Sequence, residues 1–221
     1  MSTEKPQNFL YLFAGVLFLV LVIPLYRDLT DAEFRHFSEL AFSVFLIIGI
    51  WTLQSDRRRF ALAIGLAVAG ILGNLLAFGG AGKVFAVVSL LSYTAFLLLT
   101  IGLAVKQVFA SRSIELNNIV GAVCIYLLLG VIWALLYTLL NILVPGSFGG
   151  EIAGNAHSQF NDFLYFSMVT LTSLGYGDIS PVGAAARALA TIEVVFGQFY
   201  IAVLVAGLVA AYLQRDDKAR K

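Results

Sequence analysis

Charged residues are scarce in this sequence. Asp, Glu, Lys and Arg make up 12% of the 221 residues, whereas 60% are hydrophobic and the mean hydropathy is +0.92. A soluble domain carries about a quarter charged residues and about half apolar ones. The composition therefore excludes a soluble enzyme, a nucleic-acid-binding protein and a disordered chain. The low charged fraction and the high hydropathy predict a lipid bilayer as the surrounding of the protein. The net charge of +1 indicates no polyanionic partner such as nucleic acid.

Residues that build disulfides, metal sites and catalytic sites are also rare. Cys124 is the only cysteine and lies in an apolar run, which excludes a disulfide framework and a cysteine metal cluster. The sequence contains no Gly-rich phosphate loop, no Ser-His-Asp set and no metal-spaced His pair. We therefore predict no enzymatic activity and no cofactor.

Long stretches without Asp, Glu, Lys or Arg dominate the chain instead. A helix needs about 20 residues to cross a hydrocarbon core of about 30 Å, and six stretches reach or approach this length. They are Pro6–Tyr26, Leu40–Ser55, Phe60–Gly82, Val84–Val105, Leu116–Gly150 and Val194–Gln214. We predict six transmembrane helices. The first is not a cleaved signal peptide, because no small-x-small site ends it.

The Lys and Arg residues between these stretches predict the orientation. With the N-terminus inside, most of them are cytoplasmic, and only Arg27, Arg35, Lys83 and Arg187 lie outside. This distribution follows the positive-inside rule, so both termini are predicted to be cytoplasmic. The predicted location is the plasma membrane, as the inner membrane of a bacterium. Only Arg215–Lys221 follow the last stretch, which predicts no regulatory domain in the chain.

One apolar segment is too short to cross the membrane and return. Phe163–Gly177 follows a Gly-rich segment, Pro145–Gly154, and Asn161 or Asp162 could cap a short helix near its start. Backbone that is not helical at membrane depth persists only where protein buries it or where it lines water. We predict a re-entrant helix and loop between the fifth and sixth transmembrane helices.

The re-entrant segment ends in Thr-Leu-Thr-Ser-Leu-Gly-Tyr-Gly-Asp, residues 170–178. This motif resembles the pore loop of tetrameric potassium channels, whose filter usually reads Thr-Val-Gly-Tyr-Gly-Asp. Gly175 and Gly177 can adopt backbone angles closed to other residues, so that successive carbonyl groups point the same way. Rings of such carbonyls replace the hydration shell of K⁺. The resemblance implies an all-α membrane protein, with six transmembrane helices and a pore helix and selectivity filter between helices 5 and 6. It also implies a homotetrameric, potassium-selective channel.

The resemblance also implies roles for individual residues. K⁺ would be coordinated in the filter by Ser173, Leu174, Gly175, Tyr176 and Gly177. The Ser173 hydroxyl would close the innermost site. Filter support would come from Tyr165, Phe166, Thr172, Asp178 and Glu193. The Tyr176 ring would point away from the ion, towards an aromatic cuff of Tyr165 and Phe166, and the Tyr165 hydroxyl could hydrogen-bond Asp178 at the outer mouth.

The last apolar stretch supplies the predicted cavity and gate. Gly197 lies where many relatives have an inner-helix hinge, and close helix packing is the alternative. At about 100° per residue, Gln198, Ile201 and Val205 share one side of the helix, which is the predicted wall of a water-filled cavity. Val205 and Val209 are the candidates for an apolar constriction.

Glu193 is an ionisable residue at the edge of this stretch, and such residues in a span mark a site by default. At about 100° per residue it falls about 80° from Ile201 around the helix, on the flank away from Gln198, so we expect it to face the re-entrant helix and not the cavity. Its predicted hydrogen-bond partners there are Ser167, Thr170 and Thr172. We predict that Glu193 supports the filter, and a role in gating or proton sensing is the alternative.

The N-terminal half corresponds, by resemblance, to a four-helix voltage-sensor domain, residues 1–110, and the remainder to the pore domain, residues 111–221. A voltage-sensing fourth helix carries basic residues at every third position. Val84–Val105 has none, and Lys83 and Lys106 flank it. We therefore predict that this domain supports assembly and does not gate by voltage. Because the chain has a single pore motif, a fourfold pore requires three further copies of it.

Two filter residues depart from the usual pattern, since Ser173 replaces Thr and Leu174 replaces Val or Ile. Serine keeps the hydroxyl but lacks the methyl group that restricts the threonine rotamer. A weakly selective cation channel therefore stays an alternative. A subunit of a potassium uptake transporter and an electrically silent channel subunit are the other two.

Overall fold

A computed structural model describes residues 9–22, 57–78, 82–110, 116–152 and 156–219. The described residues form six α-helices and one pair of two-residue strands. In chain order they are α1 (Phe9–Leu17), α2 (Arg57–Phe78), α3 (Lys83–Ala110), α4 (Leu116–Leu143), β1 (Phe148–Gly149), α5 (Ala156–Leu171), β2 (Ser180–Pro181) and α6 (Ala184–Ala219). A π-helical segment, Phe18–Val22, continues α1.

Four of these helices are long and apolar enough to cross a membrane. Their candidate spans are Arg58–Ala77, Lys83–Val108, Asn117–Leu143 and Ala184–Leu204, and Phe9–Leu21 forms a shorter apolar helix. The chain is therefore a multi-pass membrane protein. The predicted second span, Leu40–Ser55, lies outside the described residues, as do Arg27 and Arg35 of the orientation prediction.

The starts of two helices differ from the sequence prediction. The last span is predicted from Val194, after Glu193, whereas α6 begins at Ala184 and contains both Arg187 and Glu193. Glu193 does not end the helix because the chain buries it completely, at 0% exposure, so that protein groups and not lipid surround its carboxyl. The predicted helix caps are wrong as well. α5 begins at Ala156, so Asn161 and Asp162 lie in its second turn.

The N-terminal helices pack through small residues. Ser89 of α3 donates a 2.8 Å hydrogen bond to the carbonyl oxygen of Gly70 on α2, and the Tyr93 ring lies against the bare backbone of Gly70. α1 is joined to α4 by a 3.0 Å hydrogen bond from the Phe9 backbone N–H to Asn117 Oδ1. Because α3 also packs on α4, α4 connects the N-terminal helices to the C-terminal ones.

The interior of α3 is uncharged. Its charged residues, Lys83 and Lys106, lie at and near its ends. The hydroxyls of Thr94 and Thr100 donate to carbonyl groups four residues earlier in the same helix, at 2.8 and 3.0 Å. These polar groups are therefore satisfied locally, and α3 has no charge to move in an electric field across the span from residue 84 to residue 105.

The C-terminal helices surround the candidate site. α5 packs against both α4 and α6. Within the chain, 56% of the α4 span is buried, compared with 17% of the α6 span, so α4 lies at the centre and one side of α6 is uncovered. The antiparallel pair β1–β2 places Phe148 opposite Pro181 and Gly149 opposite Ser180. This pair ties the chain after α4 to the chain before α6.

Candidate functional site

The candidate site begins where α5 ends. The Ser173 N–H donates to the Thr170 carbonyl and the Leu174 N–H donates to the Val169 carbonyl, both at 2.9 Å. These two bonds are the paired C-terminal bonds of a Schellman motif, in which the residue after the cap adopts a left-handed conformation. That residue is Ser173, with φ of 60°. Glycine is the usual residue at such a position, because a side chain opposes a positive φ.

Left-handed residues then alternate along the segment Thr172–Asp178, called the filter segment below. Ser173, Gly175 and Gly177 have φ of 60°, 64° and 81°, whereas Leu174 and Tyr176 between them do not have positive φ. Positive φ at alternate positions is a conformation that glycine adopts at little steric cost and that other residues adopt rarely. The whole segment is exposed in the single chain, including the Leu174 and Tyr176 side chains at 55% and 66%.

Two flanking helices hold the inner end of the filter segment. The Tyr126 hydroxyl on α4 donates a 3.0 Å hydrogen bond to the Leu171 carbonyl at the end of α5. On the other side, a Cβ added at Gly197 of α6 would collide with the same carbonyl oxygen. α6 continues through Gly197 without interruption, so the structure provides a packing reason for this glycine. Next to it, Gln198 Nε2 donates a 2.7 Å hydrogen bond to Ser173 Oγ.

A buried network joins α4, α5 and α6 behind the filter segment. Glu193 accepts a hydrogen bond from the Tyr137 hydroxyl, and Ser167 Oγ lies 2.5 Å from Glu193 Oε1 and 2.8 Å from the Gly130 carbonyl oxygen. Glu193, Tyr137 and Ser167 are all fully buried, at 0% exposure. Glu193 therefore faces α5 and α4.

The protons of this network can be counted. A serine hydroxyl has one proton, so Ser167 cannot donate both to Gly130 and to Glu193. A neutral Glu193 satisfies every contact, because its Oε1–H donates to Ser167, Ser167 donates to Gly130, and Tyr137 donates to Oε2. The geometry thus supports an uncharged carboxyl that needs no counter-charge in an apolar surrounding.

The partners of Glu193 differ in part from those expected. Ser167 is one of the three predicted residues, but Thr172 Oγ1 donates to the Met168 carbonyl of its own helix at 2.7 Å, and Thr170 is not a hydrogen-bond partner of Glu193 in the contacts that the described residues form. Tyr137 is the partner that sequence reasoning missed. It lies 56 residues from Glu193, and no local pattern could link the two.

The outer end of the filter segment is held by Asp178. Its carboxylate accepts a hydrogen bond from the Tyr165 hydroxyl, and this bond holds the pKa of Asp178 below its usual value. The Asp178 backbone carbonyl lies against Gly150, whose φ is 110° and where an added Cβ would collide with that oxygen. Asp178 is thus bonded through its side chain and packed through its backbone.

Phe166, one of the two residues predicted to form the aromatic cuff, packs into the interior of its own chain, and its contact with a Tyr176 ring stays a prediction. The Phe166 ring centroid is 5.0 Å from that of Tyr137 and 5.7 Å from that of Phe148, and Phe163 completes this cluster beside Phe148 at 4.7 Å. The reason is the helical register of α5, which turns Phe166 to the interior at 6% exposure and Tyr165 outward at 40%.

The predicted cavity residues lie on the uncovered side of α6. Gln198 and Ile201 are exposed in the single chain, as are neighbouring apolar residues of the helix such as Phe199 at 68%. Val205 and Val209 lie on α6, but their side chains are outside the described part of the structure.

The ligand atoms available for an ion are oxygens of the backbone and of hydroxyl groups. Among the residues that the structure describes, no group of three or more His, Cys, Asp or Glu side chains could hold a metal ion. The filter segment instead presents its peptide carbonyls and the Ser173 hydroxyl. Such neutral oxygens suit the passage of a hard monovalent cation rather than tight capture of a divalent one.

Residues 121–214 match the family model described as "Ion channel". The chain is similar to "Two pore potassium channel c" of Oryza sativa subsp. japonica, with 36% identity over 74 residues, which cover 34% of this chain and 16% of that protein. It is similar to "Protein LctB" of Geobacillus stearothermophilus, with 47% identity over 53 residues, which cover 24% of this chain and 39% of that protein.

A further relative is "Inward rectifier potassium channel Kirbac3.1" of Paramagnetospirillum magnetotacticum, with 36% identity over 55 residues, which cover 24% of this chain and 19% of that protein. The chain thus spans well under half the length of the curated relatives that it matches. No solved structure matches the chain significantly. The matched range contains most of α4, all of α5, the filter segment and most of α6, so the similarity to ion channels falls on the part of the chain that forms the candidate site.

Proposed function

We propose that the protein is a homotetrameric potassium channel that conducts dehydrated K⁺ through backbone carbonyl rings of Ser173–Gly177. The observation that carries the proposal is the alternation of φ at Ser173, Gly175 and Gly177, at 60°, 64° and 81°. Glycine supplies the positive φ at 175 and 177 at little steric cost, and the resemblance to the potassium channel filter implies that such a backbone turns consecutive carbonyls towards the pore axis. Four such chains around an axis supply stacked rings of oxygens in place of the hydration shell.

The uncovered surface of α6 supports assembly. Apolar side chains of this helix are exposed in the single chain, among them Phe196 at 57% and Phe199 at 68%. Two features make the single chain incomplete: this apolar helix face, and a filter segment exposed along its whole length. A cyclic ring of four copies covers the helices by heterologous contacts and places the four filter segments at the axis.

Potassium selectivity is the preferred form of this function, and a weakly selective cation channel is the alternative. Three named relatives include two whose names identify them as potassium channels, and Gly175, Tyr176 and Gly177 match the filter of that class. Ser173 and Leu174 depart from it, which is the specific observation that favours the alternative.

The remaining helices are proposed to support the pore. α1 and α3 pack directly on α4, and α3 is uncharged between its end lysines, so opening by a charged voltage sensor is not part of the proposed mechanism. We place the channel in the cell membrane with both termini cytoplasmic, as the distribution of Lys and Arg favours.

A flux assay tests the proposal. Liposomes that contain the purified protein and are loaded with K⁺ should release K⁺ and take up Rb⁺. They should take up much less Na⁺ than Rb⁺. Gly175→Ala is the matched control, because the added methyl opposes a φ of 64° at a position where nothing lies within 4 Å of it. This variant should form tetramers but conduct poorly. Equal permeation of Na⁺ and K⁺ would support the weakly selective alternative, and no flux from assembled wild-type protein would contradict the channel proposal.

A further inference from the structure

Gln198 reaches from α6 to the first left-handed residue of the filter segment. Its Nε2 atom donates to Ser173 Oγ at 2.7 Å, between residues 25 positions apart. The acceptor belongs to the residue whose hydroxyl, in the proposed function, closes the innermost ion site. Gln198 therefore contacts the filter directly and is more than a polar residue of the cavity wall.

The direction of this bond leaves the serine oxygen able to bind a cation. A hydroxyl oxygen has two lone pairs and one proton. When Gln198 donates to one lone pair, the second lone pair is still free for an ion, and the oxygen is held on the side of the chain where α6 lies.

Ser173 needs such a restraint because it lacks a branched Cβ. Its backbone is already fixed by the two hydrogen bonds at the end of α5, but its χ1 angle is free to occupy three staggered wells. The methyl group of a threonine would restrict that choice. In this chain the restraint comes from a neighbouring helix instead of the residue itself.

We propose that Gln198 is a positioning residue that fixes the Ser173 hydroxyl at the innermost ion site, and that this contact replaces the rotamer restriction lost with threonine. The proposal rests on the proposed function of the filter segment. If one of three equal wells is selected in each chain, loss of the contact lowers correct orientation by about threefold per subunit, and by about 80-fold when all four must be oriented together.

The test compares Gln198→Met with the double variant Ser173→Thr/Gln198→Met. Methionine keeps the length and the unbranched shape of glutamine but has no N–H donor. The readout is block by Ba²⁺, a divalent ion of about the size of K⁺ that probes the innermost site, together with the Na⁺/K⁺ permeability ratio. Thr191→Val is the matched control, because the Thr191 hydroxyl bonds to Arg187 of its own helix at 2.9 Å and does not contact the filter.

We expect Gln198→Met to assemble normally, to weaken Ba²⁺ block by about 3- to 80-fold and to raise relative Na⁺ permeability. Ser173→Thr in the same background should restore block to within about threefold of wild type, and Thr191→Val should behave as wild type. Gln198→Leu is the second variant if the methionine protein does not assemble.

Unchanged Ba²⁺ block in Gln198→Met would overturn the proposal. Weakened block that threonine does not restore would also overturn it, because Gln198 would then act through cavity polarity and not through Ser173. Absence of flux in wild type contradicts the proposed function instead. In that event, Ba²⁺ affinity is compared by titration calorimetry, where equal affinity in wild type and Gln198→Met overturns the positioning role.

Discussion

Replacement of Glu193 by leucine tests whether the buried network supports the pore. Leucine fills similar space but cannot accept the Tyr137 hydroxyl, which is fully buried and cannot turn to water. Ser167 keeps its 2.8 Å bond to the Gly130 carbonyl, so only one hydroxyl is left without a partner. Such a buried unsatisfied group costs about 1–3 kcal/mol in each subunit.

The assay is thermal unfolding of the purified protein in detergent, with K⁺ flux as a second readout. A cost of about 1–3 kcal/mol lowers Tm by about 2–12 °C for a chain of this size, and K⁺ flux should fall because the network lies directly behind the filter segment. Glu193→Gln should be close to wild type. Its amide oxygen can accept from Tyr137 and its N–H can donate to Ser167, which reproduces the bonds of a neutral carboxyl.

A double variant separates this mechanism from simple loss of packing. Tyr137→Phe removes the hydroxyl that Glu193→Leu leaves unpaired, so Tyr137→Phe/Glu193→Leu should recover most of the lost stability. If Glu193→Leu unfolds at the wild-type temperature with normal flux, the support role is wrong. If Glu193→Gln is as damaging as leucine, the carboxyl is ionised in the folded protein and the proton count is wrong.

Three further predictions concern other parts of the molecule. Tyr165→Phe removes the hydrogen bond that lowers the pKa of Asp178, so the carboxylate will protonate at a higher pH and any acid-side loss of K⁺ flux should move to higher pH; an identical pH profile would contradict this. Gly150→Ala places a methyl group against the Asp178 carbonyl at a φ of 110°, so the Tm of the protein should fall measurably. Gly146→Ala is also at positive φ but has open space around it, so its Tm should fall less. Moving one charge across 100 mV is worth about 2.3 kcal/mol, and α3 carries no charge from residue 84 to residue 105. The open probability in bilayers should therefore depend only weakly on voltage, and a gating current would refute this.

Much of the architecture follows from local patterns. The uncharged stretches predict the starts of α2, α3 and α4 to within a few residues, and their ends less closely. The reason is that a helix satisfies the hydrogen bonds of its own backbone in lipid. The start of α6 was not predictable in this way. A boundary placed at the nearest charged residue fails where that residue is buried by other helices, as Glu193 is.

The pore-loop motif could be predicted from the sequence, whereas the side-chain contacts around it could not. The motif at 170–178 was recognisable because glycine at 175 and 177 has a backbone reason, and the positive φ at both positions agrees with it. The orientation of Phe166 depended on which face of α5 packs on the rest of the chain, and its contacts with Tyr137 and Phe148 decide this.

The sequence by itself determined which stretches of the described residues form long apolar helices and that the backbone turns left-handed at Gly175 and Gly177, because both depend on local chemistry. Only the tertiary structure decided which side chains meet across helices. Tyr137 reaches Glu193 over 56 residues, and Gln198 reaches Ser173 over 25. Such pairs arise from the way in which α4, α5 and α6 pack, since a hydrogen bond requires two atoms to lie within about 3 Å and spacing along the chain carries no information about that distance.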